Sequence, residues 1–173
     1  MGVLCGRQQC IRERRQRADE AECYPQLPSV GRYPKLEDSR RPHFLAGVGT
    51  VVARLFDLIQ PRTAMLGKKD WQQAQVIRSM VQTHASRWPA LHIMSGPTIR
   101  ESDGLAMSSR NAFLNPANRE RAIALSAALS EAIKLPPIEA ELTMQAKLFS
   151  ADLDVDYAVV RDAQTLQAPL EGL

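Results

Sequence analysis

The sequence has few features that would suit a membrane or an oxidising compartment. No stretch approaches the ~20 consecutive apolar residues that a membrane-spanning helix needs, and no apolar core follows the basic residues at the N-terminus, as it would in a secretory signal. Cys5, Cys10 and Cys23 form no C-x-x-C pair, and their spacing with His43 does not suit zinc. We predict free thiols, a cytoplasmic location, no membrane partner and no metal-ligating residues.

Aromatic residues and net charge are also scarce. Aromatics make up 5% of the 173 residues and the formal net charge is +3, too little to demand a nucleic-acid partner. A basic cluster near the N-terminus has two interpretations. It is an arm that binds RNA or the acidic surface of a partner, or it is part of a solvated tail. Its arginines are Arg7, Arg12, Arg14, Arg15 and Arg17. Acidic residues dilute it and no aromatics are interleaved for base stacking. We predict a disordered tail over residues 1–42 and no nucleic-acid partner.

A regular alternation of helix and strand patterns begins at Gly47. Apolar residues at helical spacing predict a helix over residues 48–59, and residues 64–66 are a short apolar run typical of a buried parallel strand. A second helix is predicted to begin at Asp70, a good N-cap residue, and a second strand over residues 91–94. The apolar face of that second helix is Trp71, Ala74, Ile77 and Val81.

Two more helices and a third strand are predicted further along the chain. Asn115 and Pro116 are typical of a helix N-terminus, and this helix should run to about Lys134. A weaker helix is predicted over residues 138–149 and a strand over residues 155–160. The alternation of helices and strands indicates an α/β fold with a parallel sheet.

Two polar segments occupy positions where ligands bind in such folds. The first, called here the Gly-Lys segment (residues 67–73), follows a strand and begins a helix, and both positions favour anionic ligands. The second, the Ser-Ser-Arg segment (residues 103–111), places two hydroxyls and a guanidinium in succession at Ser108, Ser109 and Arg110, which suits a polyphosphate. We expect the two segments to lie side by side as one phosphate-binding site.

The residues of the Gly-Lys segment each have two interpretations. Gly67 has no Cβ to block a ligand, and Lys68 or Lys69 can supply a mobile cation. Asp70 can cap the helix, accept a hydrogen bond from a ribose hydroxyl, or do both. Alternatively, Gly67 is only a turn, Asp70 only a cap and the lysines only solvated surface. The nearby Ser-Ser-Arg segment favours the ligand-binding interpretation.

Long blocks of the sequence match, in order, those of one enzyme family. They are TVVARLF at 50–56, QP at 60–61, GKKDWQQ at 67–73, PTIRE at 97–101 and DGLAMSSRN at 103–111, with a weaker RDA-x-TL block at 161–166. In these blocks the chain resembles the pantothenate synthetase (pantoate–β-alanine ligase) family, over about residues 41–166. Several long blocks in the right order are far more specific than any single motif.

The resemblance implies a two-step ligation of pantoate and β-alanine. The pantoate carboxylate would attack the α-phosphate of ATP, with Mg²⁺ assisting, and the β-alanine amine would then attack pantoyl adenylate. Lys69, Ser108, Ser109 and Arg110 would stabilise the adenylation transition state, and Gln73 would hydrogen-bond pantoate unless it is only a solvated helix glutamine. The residues implied to bind ATP are Gly67, Lys68, Lys69, Asp70, Ile99 (through its backbone), Met107, Ser108, Ser109 and Arg110.

The departures from the family imply a chain truncated at both ends. The family carries an N-terminal His-x-Gly-His-type segment that binds ATP phosphates, and none of His43, His84 and His92 is followed by glycine and a second histidine. Counting back from Gly47, Phe44 stands where the family has the histidine that precedes phenylalanine. This displacement suggests a reading-frame change or a truncated gene. We expect an incomplete Rossmann-like (nucleotidylyltransferase-type) parallel sheet lacking its N-terminal half, with residues 43–112 in the ATP- and pantoate-binding domain. Residues 113–173 would form part of a small α+β C-terminal domain.

Such an incomplete sheet would expose an apolar edge and the faces of its helices. We therefore expect marginal stability unless a partner covers that surface, and a homodimer is one option. Weak or absent ligase activity is expected for the chain alone. The alternative function is a catalytically inactive ATP half-site or interaction fragment.

Overall fold

The computed structural model of the chain describes residues 36–41 and 44–169. In order, the elements are helix α1 (Glu37–Arg40), helix α2 (Phe44–Ile59), strand β1 (Thr63–Gly67), helix α3 (Trp71–Thr83), strand β2 (His92–Gly96), helix α4 (Pro116–Ala132) and helix α5 (Pro137–Ser150). The cysteines, the clustered arginines, His43 and most of the predicted tail lie outside the described residues. Residues 36–41 belong to that predicted tail, yet they include helix α1 and the buried side chain of Leu36.

The two strands form a parallel pair joined by α3. Thr63 lies opposite His92 and Gly67 opposite Gly96, so the predicted α/β fold with a parallel pairing is confirmed. The strand over residues 64–66 is partly buried on one face only, because Ala64 and Leu66 pack against the core whereas Met65 is 62% exposed. The predicted parallel strand forms, but the expectation that it is buried holds for one face only, since the described helices leave the Met65 face of the sheet uncovered.

The core of this first unit lies between the sheet and helices α2 and α3. Its buried members are Ala53, Phe56, Ile77, Met80, Val81 and Trp88. The Phe56 and Trp88 rings meet edge to face, with centroids 5.7 Å apart. Trp88 Nε1 donates to Asp57 Oδ1 at 3.0 Å, and Arg87 pairs with the same carboxylate. These contacts tie the end of α2 to the loop that enters β2.

Helices α4 and α5 form a second core that is rich in alanine. As predicted, Asn115 caps α4, with its Oδ1 accepting from the Asn118 N–H at 2.7 Å, and Pro116 opens the helix. Small side chains let the two helices approach closely. The buried cluster is Ala128, Ala132, Ala140, Met144, Leu148 and Ala158.

The strand predicted over residues 155–160 does not form. In the part of the chain that the structure describes, this segment has no strand beside it. Its Val160 N–H instead donates to Glu141 Oε1 on α5 at 2.7 Å. An alternating apolar pattern is not enough for a strand, because the ladder hydrogen bonds need a neighbouring backbone.

One face of α2 is apolar and exposed. Its exposed side chains are Val51, Leu55, Leu58 and Ile59, and Met65 and Met94 of the sheet are exposed as well. The sequence predicts such uncovered apolar faces, and the marginal stability that should follow from them stays a prediction. None of the described helices is both long and apolar enough to cross a membrane.

Candidate functional site

A cavity of about 720 Å³ lies where the two polar segments meet. Six of the predicted site residues line it: Lys69, Asp70, Gln73, Ser108, Ser109 and Arg110. Residues from α1 and α2 and a stretch after α5 complete the wall; among them are Leu36, Phe44, Tyr157, Val159, Arg161 and Leu166. The expectation that the Gly-Lys and Ser-Ser-Arg segments lie side by side is therefore met by the geometry.

The Gly-Lys segment runs from the end of β1 into the first turn of α3. A 3₁₀ turn over Lys68–Asp70 joins the two elements, and the Lys69 ammonium lies 3.1 Å from Asp70 Oδ1. Asp70 occupies the N-cap position, but its side chain makes no capping hydrogen bond. The sequence left open whether Asp70 caps the helix or accepts a hydrogen bond from a ribose hydroxyl. Its carboxylate does not cap the helix and pairs with Lys69 instead. The first turn of α3 adds a partial positive charge to this wall of the cavity.

The Ser-Ser-Arg segment presents its hydroxyls and guanidinium from a short 3₁₀ turn over Ser109–Phe113. Ser108 Oγ accepts a hydrogen bond from the Arg110 N–H at 3.2 Å, which holds the start of that turn. The side chains of Ser109 and Arg110 are exposed. A phosphate group in the cavity would therefore meet hydroxyl donors and a planar cationic fork.

Ion pairs hold the irregular backbone before this turn. Arg119 of α4 contacts Glu101 Oε2 and Asp103 Oδ2, each at 2.6 Å from its Nη2. Hydrogen bonds from Asn111 and Arg119 hold the pKa of Glu101 below its ordinary value. The Leu105 N–H, followed by Arg119, lowers the pKa of Asp103, and the two carboxylates raise the pKa of Arg119. All three groups are therefore charged at neutral pH.

A third wall of the cavity comes from residues 157–166, which the sequence analysis did not assign to the site. Trp71 Nε1 and Gln75 Nε2 both donate to the Ala163 carbonyl, at 2.9 and 2.7 Å. Asp162 accepts from the Gln164 and Thr165 N–H groups, and the latter leads in lowering its pKa. The RDA-x-TL block at 161–166 was the available signal, but its position far along the chain did not reveal that it folds back onto α3.

Four residues implied to bind ATP do not line this cavity: Gly67, Lys68, Ile99 and Met107. Gly67 ends β1 beside it, and a Cβ added there would meet nothing within 4 Å, so the space next to its backbone is open. Ile99 and Met107 are 60% and 57% exposed, and the Met107 N–H donates to the Ile99 carbonyl at 2.9 Å. Their roles in binding ATP stay predictions.

Comparison with known proteins identifies relatives over most of the chain. The family model for pantoate-beta-alanine ligase matches residues 18–172, a longer stretch than residues 41–166. Pantothenate synthetase of Rhizobium johnstonii is 42% identical over 148 residues, which are 82% of this chain and 47% of the relative. That of Anaeromyxobacter dehalogenans is 53% identical over 97 residues, 56% of this chain and 32% of the relative. The chain spans about half the length, or less, of these relatives.

Solved structures share the fold as well. Pantothenate synthetase from Thermus thermophilus superposes with a TM-score of 0.73 at 31% identity, over 92% of this chain and 65% of that protein. A pantoate-beta-alanine ligase from Francisella tularensis, complexed with beta-gamma ATP and beta-alanine, gives a TM-score of 0.51 at 28% identity. That match covers 66% of this chain and 43% of the solved one.

Proposed function

Because this chain belongs to the pantoate-beta-alanine ligase family, we propose that it takes part in the ATP-dependent condensation of pantoate with β-alanine. The single observation that carries the proposal is the cavity between the Gly-Lys and Ser-Ser-Arg segments, since it gathers Lys69, Ser108, Ser109 and Arg110 on one surface. The Francisella tularensis relative, complexed with beta-gamma ATP and beta-alanine, supports these two substrates.

In the first step, a pantoate carboxylate oxygen attacks the α-phosphorus of ATP. A carboxyl–phosphate bond forms, the bond to the leaving phosphate breaks, and pyrophosphate departs, which leaves pantoyl adenylate. Lys69 and Arg110 neutralise charge that builds up on the phosphates, while the Ser108 and Ser109 hydroxyls donate hydrogen bonds to their oxygens. The protein mainly positions the reactants, because holding both substrates in place makes their reaction effectively unimolecular.

In the second step, the neutral amine of β-alanine attacks the acyl carbon of the adenylate. The amide bond of pantothenate forms, AMP leaves with the bonding electrons, and the amine loses a proton. Gln73, on the cavity wall, is proposed to hydrogen-bond pantoate through both steps. Gly67, Lys68, Asp70, Ile99 and Met107 are proposed to complete the ATP site.

Mg²⁺ fits this site as an ion carried by ATP. The described residues contain no group of three His, Cys, Asp or Glu side chains that could hold a metal ion. Mg²⁺ is commonly bound by substrate phosphates, water and one or two carboxylates, and Asp70 supplies an exposed carboxylate on the cavity wall. Contrary to the expectation of no metal-ligating residues, Asp70 would then hold the ion together with the phosphates, and the ion would neutralise phosphate charge.

The proposal extends to a cytoplasmic location and a homodimer. The exposed apolar face of α2 supports association, since such a face is costly to leave in water. Sedimentation equilibrium of the purified chain tests it: a mass of twice the 19.2 kDa of one chain is expected, and a monomer at micromolar concentration would contradict the dimer.

The alternative function is an ATP-binding or interaction fragment without ligase activity. The exposed apolar face of α2 favours a role in interaction. A chain of this kind would bind ATP at the same cavity but would release no AMP.

The discriminating experiment measures AMP formation from ATP with pantoate and β-alanine both present, and with each left out. Formation that needs both substrates supports the ligase, and Lys69→Ala should lower it by roughly 100-fold or more, as loss of one transition-state donor does. Lys134→Ala, at an exposed lysine beyond α4, is the matched control and should leave it unchanged. ATP binding without AMP formation would favour the alternative. Absence of ATP binding would contradict both the ligase and an ATP-binding fragment, and would leave only an interaction fragment.

A further inference from the structure

Apart from the short 3₁₀ turn over Ser109–Phe113, the Ser-Ser-Arg segment lies in irregular backbone, so side-chain contacts are needed to fix its shape. We propose that Arg119, on helix α4, is the positioning residue that holds this segment in its ligand-binding shape. The proposal rests on the proposed function for the identity of the ligand, ATP. The part concerning the shape of the segment does not depend on any ligand.

Arg119 holds the turn that begins the segment at two points. Its Nη2 lies 2.6 Å from Glu101 Oε2, and its Nε donates to Asp103 Oδ2 at 2.8 Å. Between these carboxylates the chain reverses: the Gly104 N–H donates to the Glu101 carbonyl at 2.9 Å and the Glu101 N–H to the Leu105 carbonyl at 2.8 Å. One guanidinium therefore bridges the two carboxylates of a single tight turn.

The same contact is passed on to the phosphate-binding triplet. The second oxygen of Glu101, Oε1, accepts from Asn111 Nδ2 at 2.6 Å, and this amide also donates to the Ala106 carbonyl at 3.0 Å. Asn111 directly follows Arg110, and its N–H donates to the Ser108 carbonyl at 3.0 Å. The contacts thus run from Arg119 through Glu101 and Asn111 to both ends of the triplet.

The chemistry of this network requires arginine rather than any cation. Arginine presents several N–H donors in a rigid planar fork, so it can hold two carboxylates in fixed directions at once. Lysine carries a single, mobile charge and would pair with them less precisely. Since the three side chains are each about one-third exposed or less, water screens the network only in part.

Arg121 provides a matched control on the same helix. It pairs with Asp152 at 2.5 Å and donates to Asn118 Oδ1 at 2.5 Å, so its truncation also removes an ion pair and a side-chain hydrogen bond from α4, at a more exposed site. None of its described partners belongs to the Ser-Ser-Arg segment. A general weakening of α4 would therefore affect Arg119 and Arg121 variants alike, whereas a positioning role would separate them.

The test measures hydrogen–deuterium exchange of the amides of residues 104–111, and the affinity for ATP, in the wild type and in Arg119→Ala, Arg119→Lys and Arg121→Ala. For Arg119→Ala we expect exchange to rise and ATP affinity to fall by about tenfold each, the effect of losing charged hydrogen bonds. Arg119→Lys should lie between that variant and the wild type, and Arg121→Ala should change neither quantity. Equal effects of Arg119→Ala and Arg121→Ala, or a loss of ATP affinity with unchanged exchange, would overturn the proposal.

Two further variants keep the test valid if Arg119→Ala does not fold. Glu101→Gln and Asp103→Asn keep the size of each carboxylate and remove its charge, and each should raise exchange over residues 104–111 by a smaller factor. If the wild type does not bind ATP, the proposed function fails on that result alone. The exchange comparison then still decides whether Arg119 positions the segment.

Discussion

The Gly-Lys and Ser-Ser-Arg segments line the same cavity but are held in place in different ways. The Gly-Lys segment is the junction of a strand and a helix, so backbone hydrogen bonds and the apolar core behind β1 and α3 fix its course. The Ser-Ser-Arg segment lies between elements, and side-chain contacts to Glu101, Asp103 and Asn111 fix it instead. The first support is strand pairing and apolar packing, whereas the second is ion pairs and side-chain hydrogen bonds, so different perturbations should loosen them separately.

The largest effect is expected from removing apolar support behind the Gly-Lys segment. Ile77 of α3 is fully buried in the first core, and Ile77→Ala should lower the free energy of unfolding by about 2–5 kcal/mol through lost burial and a residual cavity. Urea denaturation measures this change. Ile133→Ala, at a side chain that is 85% exposed, is the control. A similar loss of stability in both variants would contradict the apolar support of the Gly-Lys segment.

A smaller effect is expected from straining the turn of the Ser-Ser-Arg segment. Gly104 has φ of +89°, and an added Cβ would lie 3.2 Å from Ser126 Oγ, so Gly104→Ala should cost about 1–2 kcal/mol. Gly67→Ala is the matched change in the other segment, because Gly67 has φ of −77° and open space around it. It should change stability by less than about 0.5 kcal/mol.

Gly67→Ala also distinguishes an effect on ATP binding from an effect on stability. If Gly67 permits close approach of ATP, Gly67→Ala should weaken ATP binding while the unfolding midpoint stays nearly unchanged. Isothermal titration calorimetry with ATP measures the first quantity and thermal unfolding the second. Unchanged affinity would restore the interpretation of Gly67 as a simple turn.

Loss of the helix cap after the Ser-Ser-Arg segment should have a modest effect. Asn115→Ala removes the hydrogen bond to the Asn118 N–H and should cost about 1 kcal/mol of unfolding free energy. Asn115→Asp keeps an oxygen acceptor at the same place and should recover most of that loss. If the two variants are equally destabilised in urea, the cap is not the cause.

The smallest effect is expected from lowering the pH, which should increase amide exchange over residues 104–111. The folded pKa values of Glu101 and Asp103 lie below their ordinary values of 4.5 and 3.8, so their contribution is complete at neutral pH and is lost as pH falls through the lowered values. The other charged groups at this turn are Arg119 and Arg100, and the pKa of Arg119 is raised by the two carboxylates. Exchange over residues 104–111, corrected for its intrinsic pH dependence, should stay constant from pH 7 to about 5 and rise below the ordinary values. A rise near neutral pH would contradict this origin.

The sequence by itself determined the helices and strands that depend on contacts between residues close together in the chain. The apolar spacing before Ile59, the Asn115–Pro116 helix start and the short runs at β1 and β2 each specify an element through contacts within a few residues, and all four formed. The family also followed from the sequence, because long blocks in a fixed order rarely arise by chance. Helix and strand spacing likewise predicted that the two polar segments would meet, since the ends of parallel strands share one edge of a sheet.

Only the tertiary structure decided which distant groups come together. The partners of Arg119 lie 16 and 18 positions before it, and Trp71 meets Ala163 from 92 positions away. Residues 155–160 carry a strand pattern, but among the described residues no strand lies beside them. Asp70 pairs with Lys69 although it occupies an N-cap position. A local pattern states what a segment can form, whereas packing of the whole chain selects the partner that each polar group finds.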